Sequence, residues 1–159
     1  MIDIELSKDY ARVFCEEIEG ETEKIEFVGA IRRRVHKVET ISMIVIPKNV
    51  SSLGEAIIRI ASEFPSKLGP KLISFSYVHF RINLFIANRS NYELLKFIRT
   101  GPDTFCKKAC QKARELGLKL HADGSGIEKL SNGTWLYPRS EEDIFLCLGW
   151  PYIEPQNRI

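Results

Sequence analysis

The sequence lacks the features of a membrane or exported protein. It has no run of 18 apolar residues, no signal-type segment, no internal repeat and no low-complexity tract. Cysteine is scarce, with four residues among 159, and all four lie in segments with helical periodicity. We therefore expect an intracellular protein, cytoplasmic or nuclear, that keeps its cysteines reduced and has no membrane partner.

The sequence also lacks the side-chain clusters that metal binding or nucleophilic catalysis requires. Cys106 and Cys110 share one face of a predicted helix, but no second Cys or His pair with ligand spacing lies nearby. His36, His79 and His121 are scattered, and none has a serine or cysteine partner at an informative spacing. The cysteines are therefore predicted to be small buried side chains.

Neither positive nor negative charge is in large excess, but both are unevenly distributed along the sequence. The net charge is +2 and 28% of residues are charged, which is too little for a dedicated polycation. Six glutamates crowd residues 16–26, and a basic segment follows at residues 32–37. A second basic cluster occupies residues 107–119. These two basic segments are the candidate contacts for a polyanion.

Hydrophobic periodicity predicts alternating helices and strands within a length near that of one domain. The predicted helices span residues 7–18, 52–64, 92–98, 102–116 and 140–149. The predicted strands span residues 24–28, 38–46, 71–77 and 80–87, the last two forming a hairpin. Ser7, and Ser52 with Glu55, are the predicted amino-terminal caps of the first two helices. Phe64 and Leu116 are expected on buried helix faces.

A glycine turn followed by arginines and a β-branched strand forms the first informative motif. Gly29 opens the turn, and Thr40 and Ser42 lie on the strand that follows. A later predicted strand carries Asn83. In order and spacing these segments resemble the active-site turn and strands of family X DNA polymerases, the DNA polymerase beta type, in which Asp-x-Asp and a third aspartate occupy these positions.

Three further segments resemble the same family. Residues 100–105 are similar to the Thr-Gly-x-x-x-Phe entry to the family's thumb helix, and residues 140–145 and 152–158 are similar to its carboxyl-terminal signature. The resemblance covers essentially the whole sequence. It implies an α/β (α+β) fold: a nucleotidyltransferase-type palm with a mixed sheet and flanking helices over residues 1–99, and a small thumb over residues 100–159. The family's lyase and fingers regions have no counterpart here.

The residues that replace the family's aspartates argue against catalysis. In the family, three aspartates hold two magnesium ions that activate the attacking hydroxyl and clamp the departing pyrophosphate. Thr40, Ser42 and Asn83 would remove about three negative charges from such a site, and magnesium prefers carboxylate oxygens. Glu39 is expected on the opposite strand face, and Cys110 replaces a family arginine. The resemblance therefore implies no catalytic residue, no metal site and no cofactor, with magnesium only if its ligands have relocated.

Several basic positions of the family persist and are the candidate binding residues. The resemblance implies a phosphate- or nucleotide-binding remnant with four members: Gly29, Arg32, Arg33 and Arg81. Nucleic-acid contacts are expected at five further residues: Arg34, Lys37, Lys107, Lys108 and Lys112. Guanidinium and ammonium groups bind phosphate without sequence preference. A solvated turn and a solvated helix face remain open as alternative interpretations.

The preferred hypothesis is a catalytically degenerate relative of family X polymerases. It is expected to bind nucleic acid, with DNA favoured, or another polyanion through backbone contacts, and to carry out no metal-dependent synthesis. Two alternatives stay open: an active small DNA polymerase or nucleotidyltransferase with relocated metal ligands, and a scaffold subunit that binds a protein partner. Salt-dependent DNA binding and nucleotide incorporation distinguish the three.

Overall fold

The computed structural model describes residues 1–159 and divides into two compact units, Met1–Asn88 and Arg89–Ile159. The boundary that the resemblance predicts lies later, after residue 99. The structure assigns the intervening helix to the second unit because Leu94 and Phe97 pack into that unit's core.

The first unit contains three α-helices and seven strands. In chain order they are β1 (Ile2–Asp3), α1 (Ile4–Ile18), β2 (Thr22–Val28), α2 (Gly29–Arg32), β3 (Lys37–Val38), β4 (Thr40–Pro47), α3 (Val50–Ile60), β5 (Lys67–Leu68), β6 (Leu72–Tyr77) and β7 (Phe80–Ile86), with a 3-10 helix at Glu19–Glu21. Five strands form one sheet in the order β2-β4-β7-β6-β5. Only β4 and β7 pair in parallel, so the sheet is mixed, as the sequence predicted.

One face of this sheet forms the core of the first unit. Ile41, Met43 and Val45 alternate along β4 and are essentially fully buried, as expected for one face of a central strand. They belong to a cluster that includes Phe14 of α1 and Leu53 of α3. The two longer helices of this unit therefore contribute to the core on one sheet face, and the alternate strand residues lie on the other face.

The predicted amino-terminal caps of the first two helices are wrong. The α1 helix begins three residues before Ser7, and Asp3 is its cap, accepting a hydrogen bond from the Glu5 backbone N–H at 2.9 Å. The α3 helix is capped by Asn49, which accepts from the Ser52 N–H at 3.0 Å. Aspartate and asparagine cap helices at least as well as serine, so an earlier acidic or amide residue competed successfully in both cases.

The buried faces of two helices are shorter than predicted. The α3 helix ends at Ile60, so Phe64 lies beyond it and is 72% exposed. In the second unit the helix over residues 103–115 ends before Leu116, which is 47% exposed at the carboxyl-terminal cap. Periodicity alone extended both apolar stripes past the point where the backbone leaves the helix.

The hairpin between β6 and β7 follows the prediction. Tyr77 pairs with Phe80, so Val78 and His79 form a two-residue turn. Val78 adopts a positive φ of 57°, an unfavourable conformation for a β-branched residue. Its backbone N–H donates to the hydroxyl of Ser62 at 2.8 Å, which ties the turn to the segment after α3.

The second unit contains three further helices and a small sheet. Its elements are α4 (Tyr92–Thr100), α5 (Asp103–Glu115), β8 (Leu118–Leu120), β9 (Ile127–Lys129), β10 (Trp135–Leu136) and α6 (Glu141–Cys147), with a 3-10 helix at Pro155–Asn157. The sheet is antiparallel in the order β10-β9-β8. No helix in the chain combines the length and apolar character needed to cross a membrane.

A buried ion pair anchors the carboxyl-terminal segment to the second unit's core. Arg158 is 3% exposed, and its guanidinium donates to the Glu141 carboxylate at 2.7 and 3.5 Å. Its Nε also donates to the Ile153 carbonyl at 3.0 Å. Four aromatic rings surround the guanidinium with centroid distances of 5.2–5.9 Å: Phe97, Phe105, Phe145 and Tyr152. The ion pair therefore lies among the apolar side chains of the α4–α5–α6 core.

We expect Glu141→Gln to destabilise the second unit by about 3–5 kcal/mol, because it leaves the Arg158 charge buried without its counter-charge. Urea denaturation followed by tryptophan fluorescence measures the loss, since both tryptophans lie in this unit. Glu115→Gln is the matched control in the same unit: it breaks a more exposed pair with Lys112 and should cost less than about 1 kcal/mol. Equal effects of the two changes would contradict the prediction.

Candidate functional site

The mixed sheet brings together the three positions at which the resembled family carries aspartates. Ser42 on β4 pairs directly with Asn83 on β7, and Thr40 pairs with Arg81 in the neighbouring row. Paired strands lie about 4.8 Å apart, and paired side chains share one sheet face. Thr40, Ser42 and Asn83 are half-buried, whereas Arg81 is exposed. These side chains lie on the face opposite the core.

Asn83 has a defined hydrogen-bond partner on the next strand. Ser74 of β6 pairs with Asn83, and its hydroxyl lies 2.7 Å from the Asn83 Oδ1. Ser74 is not among the predicted site residues, although the alternation of Ser74 and Ser76 with buried residues in β6 is a usable signal. We call these side chains of the sheet's outer face the polar patch: Thr40, Ser42, Ser74, Ser76, Arg81 and Asn83.

Three glutamates bear on whether a metal site exists near the polar patch. Glu26 on β2 forms an ion pair with Lys24 at 3.5 Å, and Glu63 accepts a hydrogen bond from Ser76 at 3.0 Å. Glu39 is exposed at a bend between β3 and β4 rather than within a strand. The expectation for Glu39, which assumed an unbroken strand, therefore does not apply.

The polar patch does not fit a pair of magnesium ions. Thr40 and Ser42 offer neutral hydroxyls and Asn83 offers an amide, whereas magnesium prefers carboxylate oxygens and needs charge compensation. No group of three or more His, Cys, Asp or Glu side chains in the chain is placed to hold a metal ion.

The basic segment after β2 forms a tight turn. Gly29 has a φ of 63°, which glycine adopts without strain, and it opens the short α2 helix. Arg32 ends this helix, and the Arg33 N–H donates to the Gly29 carbonyl at 3.1 Å. Both arginine side chains are half-buried. Arg34, which has a positive φ of 60°, and Lys37 on β3 are exposed.

The α5 helix carries the second set of predicted binding residues. Lys107 and Lys108 are exposed and lie in its second turn, because the helix begins at Asp103. The free amides at the helix start therefore do not coincide with the lysines. Lys108 donates to the Ile159 carbonyl at 3.3 Å, and Lys112 lies 3.9 Å from a carboxylate oxygen at the end of the helix.

A groove of about 590 Å³ runs beside α5. Its lining consists of Ile98, Arg99, Asp103, Cys106, Lys107, Cys110, Gln111, Arg114 and Ala122. Three of these residues are basic and one is acidic, so the groove has an excess of positive charge. Arg99 and Arg114 were not predicted as site residues. Lys107 and Arg114 are seven residues apart, or about two helical turns, so the sequence spacing alone could have predicted that they share one face of α5.

Three of the four cysteines are poor nucleophiles in this structure. Burial, with a smaller contribution from Glu16, raises the pKa of Cys15 to about 11. Burial also raises the pKa of Cys110 and of Cys147, although Arg114 partly offsets the shift at Cys110. All four cysteines are free thiols in helices and only partly accessible. The thiols of Cys15, Cys110 and Cys147 therefore stay protonated at neutral pH.

Comparison with known proteins supports a relationship to the polymerase family for the second unit. Residues 96–159 match the family model described as DNA polymerase beta thumb. The match includes α5, its groove and the buried pair of Glu141 and Arg158. It does not extend to the five-stranded sheet. No curated protein matches the chain.

We expect native Cys15 to react with iodoacetamide at pH 8 about 100-fold more slowly than the same thiol in urea, because its pKa rises from 9.0 to about 11. A raised thiol pKa contributes stability below the unfolded value, and that contribution disappears between about pH 9 and pH 11. Mass spectrometry of labelled peptides measures the rates. Equal rates with and without urea would contradict the assignment.

Proposed function

We propose that this protein is a nucleic-acid-binding relative of the family X DNA polymerases that carries out no metal-dependent synthesis, with DNA as the favoured partner. The observation that carries the proposal is the thumb match over residues 96–159 together with the exposed lysines of its first long helix. The composition of the polar patch supports the absence of synthesis.

The charge and exposure of α5 support contacts with a nucleic-acid backbone. Lys107 and Lys108 project from consecutive positions of a helix whose opposite side, including Phe105 and Ala109, is buried in the core. Their ammonium groups are therefore held at the surface by a rigid element. Phosphate contacts of this kind supply affinity without sequence preference and release counterions on binding. The predicted phosphate contacts of Arg34 and Lys37 remain part of this proposal.

The donor chemistry of the polar patch supports the second part of the proposal. Two-metal phosphoryl transfer requires ligands that compensate two dications and a polyphosphate. Thr40, Ser42 and Asn83 are neutral, and the Asn83 oxygen already accepts a hydrogen bond from Ser74. An active polymerase would need a carboxylate from another position as a metal ligand. Glu26 is a candidate, because it lies on the same sheet face as Ser42.

We expect Lys107→Glu with Lys108→Glu to weaken binding to duplex DNA at least tenfold at 100 mM salt. The slope of log affinity against log salt should fall by about 2, because each lost phosphate contact removes about 0.9 from it. Fluorescence anisotropy with a labelled duplex over a salt series measures both quantities.

The control for this charge reversal is Lys48→Glu with Lys71→Glu, which makes the same change at two exposed lysines of the first unit. It should shift the affinity by less than threefold. If both double variants weaken binding equally, the effect reflects net charge alone. If the wild type shows no salt-dependent DNA binding, the proposed function is wrong and the scaffold alternative is favoured.

Wild-type protein should not extend a primer on gapped DNA with magnesium or manganese, since the polar patch lacks anionic ligands. The measurement is incorporation of a labelled nucleotide, with Glu26→Gln assayed in parallel. Incorporation that is abolished by chelator would overturn this part of the proposal. Its loss in Glu26→Gln would then identify the relocated ligand.

A further inference from the structure

We propose that the polar patch binds a phosphate group directly, without a divalent cation, through hydrogen bonds from Asn83 and Ser42 and the charge of Arg81. The inference deepens the proposed function by assigning a ligand to the first unit. It can fail independently, because DNA binding by the α5 lysines involves the other unit.

The hydrogen bond of Asn83 determines which group this side chain offers to a ligand. Its partner Ser74 Oγ lies at 2.7 Å, the usual distance for O–H···O and shorter than the usual 2.9–3.0 Å for N–H···O. The hydroxyl therefore donates to Oδ1, which leaves the amide NH₂ as a donor. Ser74 belongs to β6, on the side of β7 away from β4, and its hydrogen bond uses the oxygen of the amide and not the NH₂.

The neighbouring strand supplies further donors in register. Ser42 pairs with Asn83, and Thr40 pairs with Arg81. Adjacent strands are about 4.8 Å apart, and the two rows are separated by two residues, or about 6.7 Å. Hydroxyl, amide and guanidinium groups therefore surround an area that a single phosphate group can bridge. A guanidinium and neutral donors together are a favourable set for phosphate oxygens.

The charge balance of the polar patch favours an anion over a cation. Carboxylates at positions 40, 42 and 83 would repel phosphate unless metal ions lay between them. This sequence has no carboxylate at any of these three positions. Glu26 pairs with Lys24 and Glu63 accepts a hydrogen bond from the hydroxyl of Ser76, whereas Glu39 lies at an exposed bend outside β4. With hydrogen-bond donors in place of carboxylates, the polar patch therefore favours a negatively charged ligand over a cation.

Isothermal titration with inorganic triphosphate in excess EDTA tests the proposal on the full chain. We expect wild-type binding, and at least a tenfold weaker affinity for Asn83→Asp, which exchanges the donating NH₂ for an anionic oxygen. Asn132→Asp is the matched control. Asn132 accepts from the Thr134 N–H in a turn of the other unit, a role that aspartate retains, so its affinity should stay within twofold.

Two further measurements keep the test independent of folding defects. Ser74→Ala adds no charge but releases the Asn83 amide, and it should weaken triphosphate binding about threefold. In wild-type protein, the side-chain amide resonances of Asn83 should shift on addition of triphosphate, whereas those of Asn132 should not. Unchanged Asn83 resonances at saturating triphosphate would overturn the proposal.

The same wild-type and variant proteins distinguish the possible sources of the phosphate. They also test the proposed function and this inference separately. Competition between triphosphate and an oligonucleotide for the Asn83 resonances identifies a nucleic-acid phosphate as the ligand, and its absence identifies a free polyphosphate. Triphosphate binding that requires magnesium, or that is lost in Lys107→Glu with Lys108→Glu, contradicts the inference. Triphosphate binding without any DNA binding contradicts only the proposed function.

Discussion

The parallel pairing of β4 with β7 is the constraint on which the candidate site depends. These strands lie side by side in a five-stranded sheet, with β2 and β6 on their outer edges. Their buried residues, such as Met43 and Leu84, lock the register, because a slip of one residue would move apolar side chains to the solvent face. The same register aligns Ser42 with Asn83. The position of the site is thus a consequence of core packing on the opposite face.

Neutral residues on this face are compatible with a stable sheet. Carboxylates crowded at half-buried positions repel one another and are costly to desolvate unless cations balance them. Thr40, Ser42 and Asn83 avoid that cost, and the hydrogen bond from Ser74 satisfies the Asn83 oxygen within the sheet. This balance of charge and hydrogen bonding supports the proposed binding of an anion at this face.

The second unit depends on different physics. Arg158 is a charged residue inside an aromatic core, and it is tolerated there because Glu141 and a backbone carbonyl satisfy its donors. Residues far apart in the chain thereby hold α6 and the carboxyl terminus against α4 and α5. With one side of α5 packed in this way, its lysines remain on the surface, where the proposed contacts with phosphate can form.

Apolar periodicity in the sequence by itself determined the longer helices, the central strands and most of their buried residues, because an amphipathic stripe that is buried has a characteristic spacing. The sequence also shows directly that positions 40, 42 and 83 carry no acidic residue. Only the tertiary structure decided which polar residue caps each helix and where α3 ends before Phe64. It also decided the pairing of Arg158 with Glu141. The pairing of Ser74 with Asn83 was decided in the same way. These features depend on competition between nearby caps and on the register of segments distant in the chain, which local patterns do not contain.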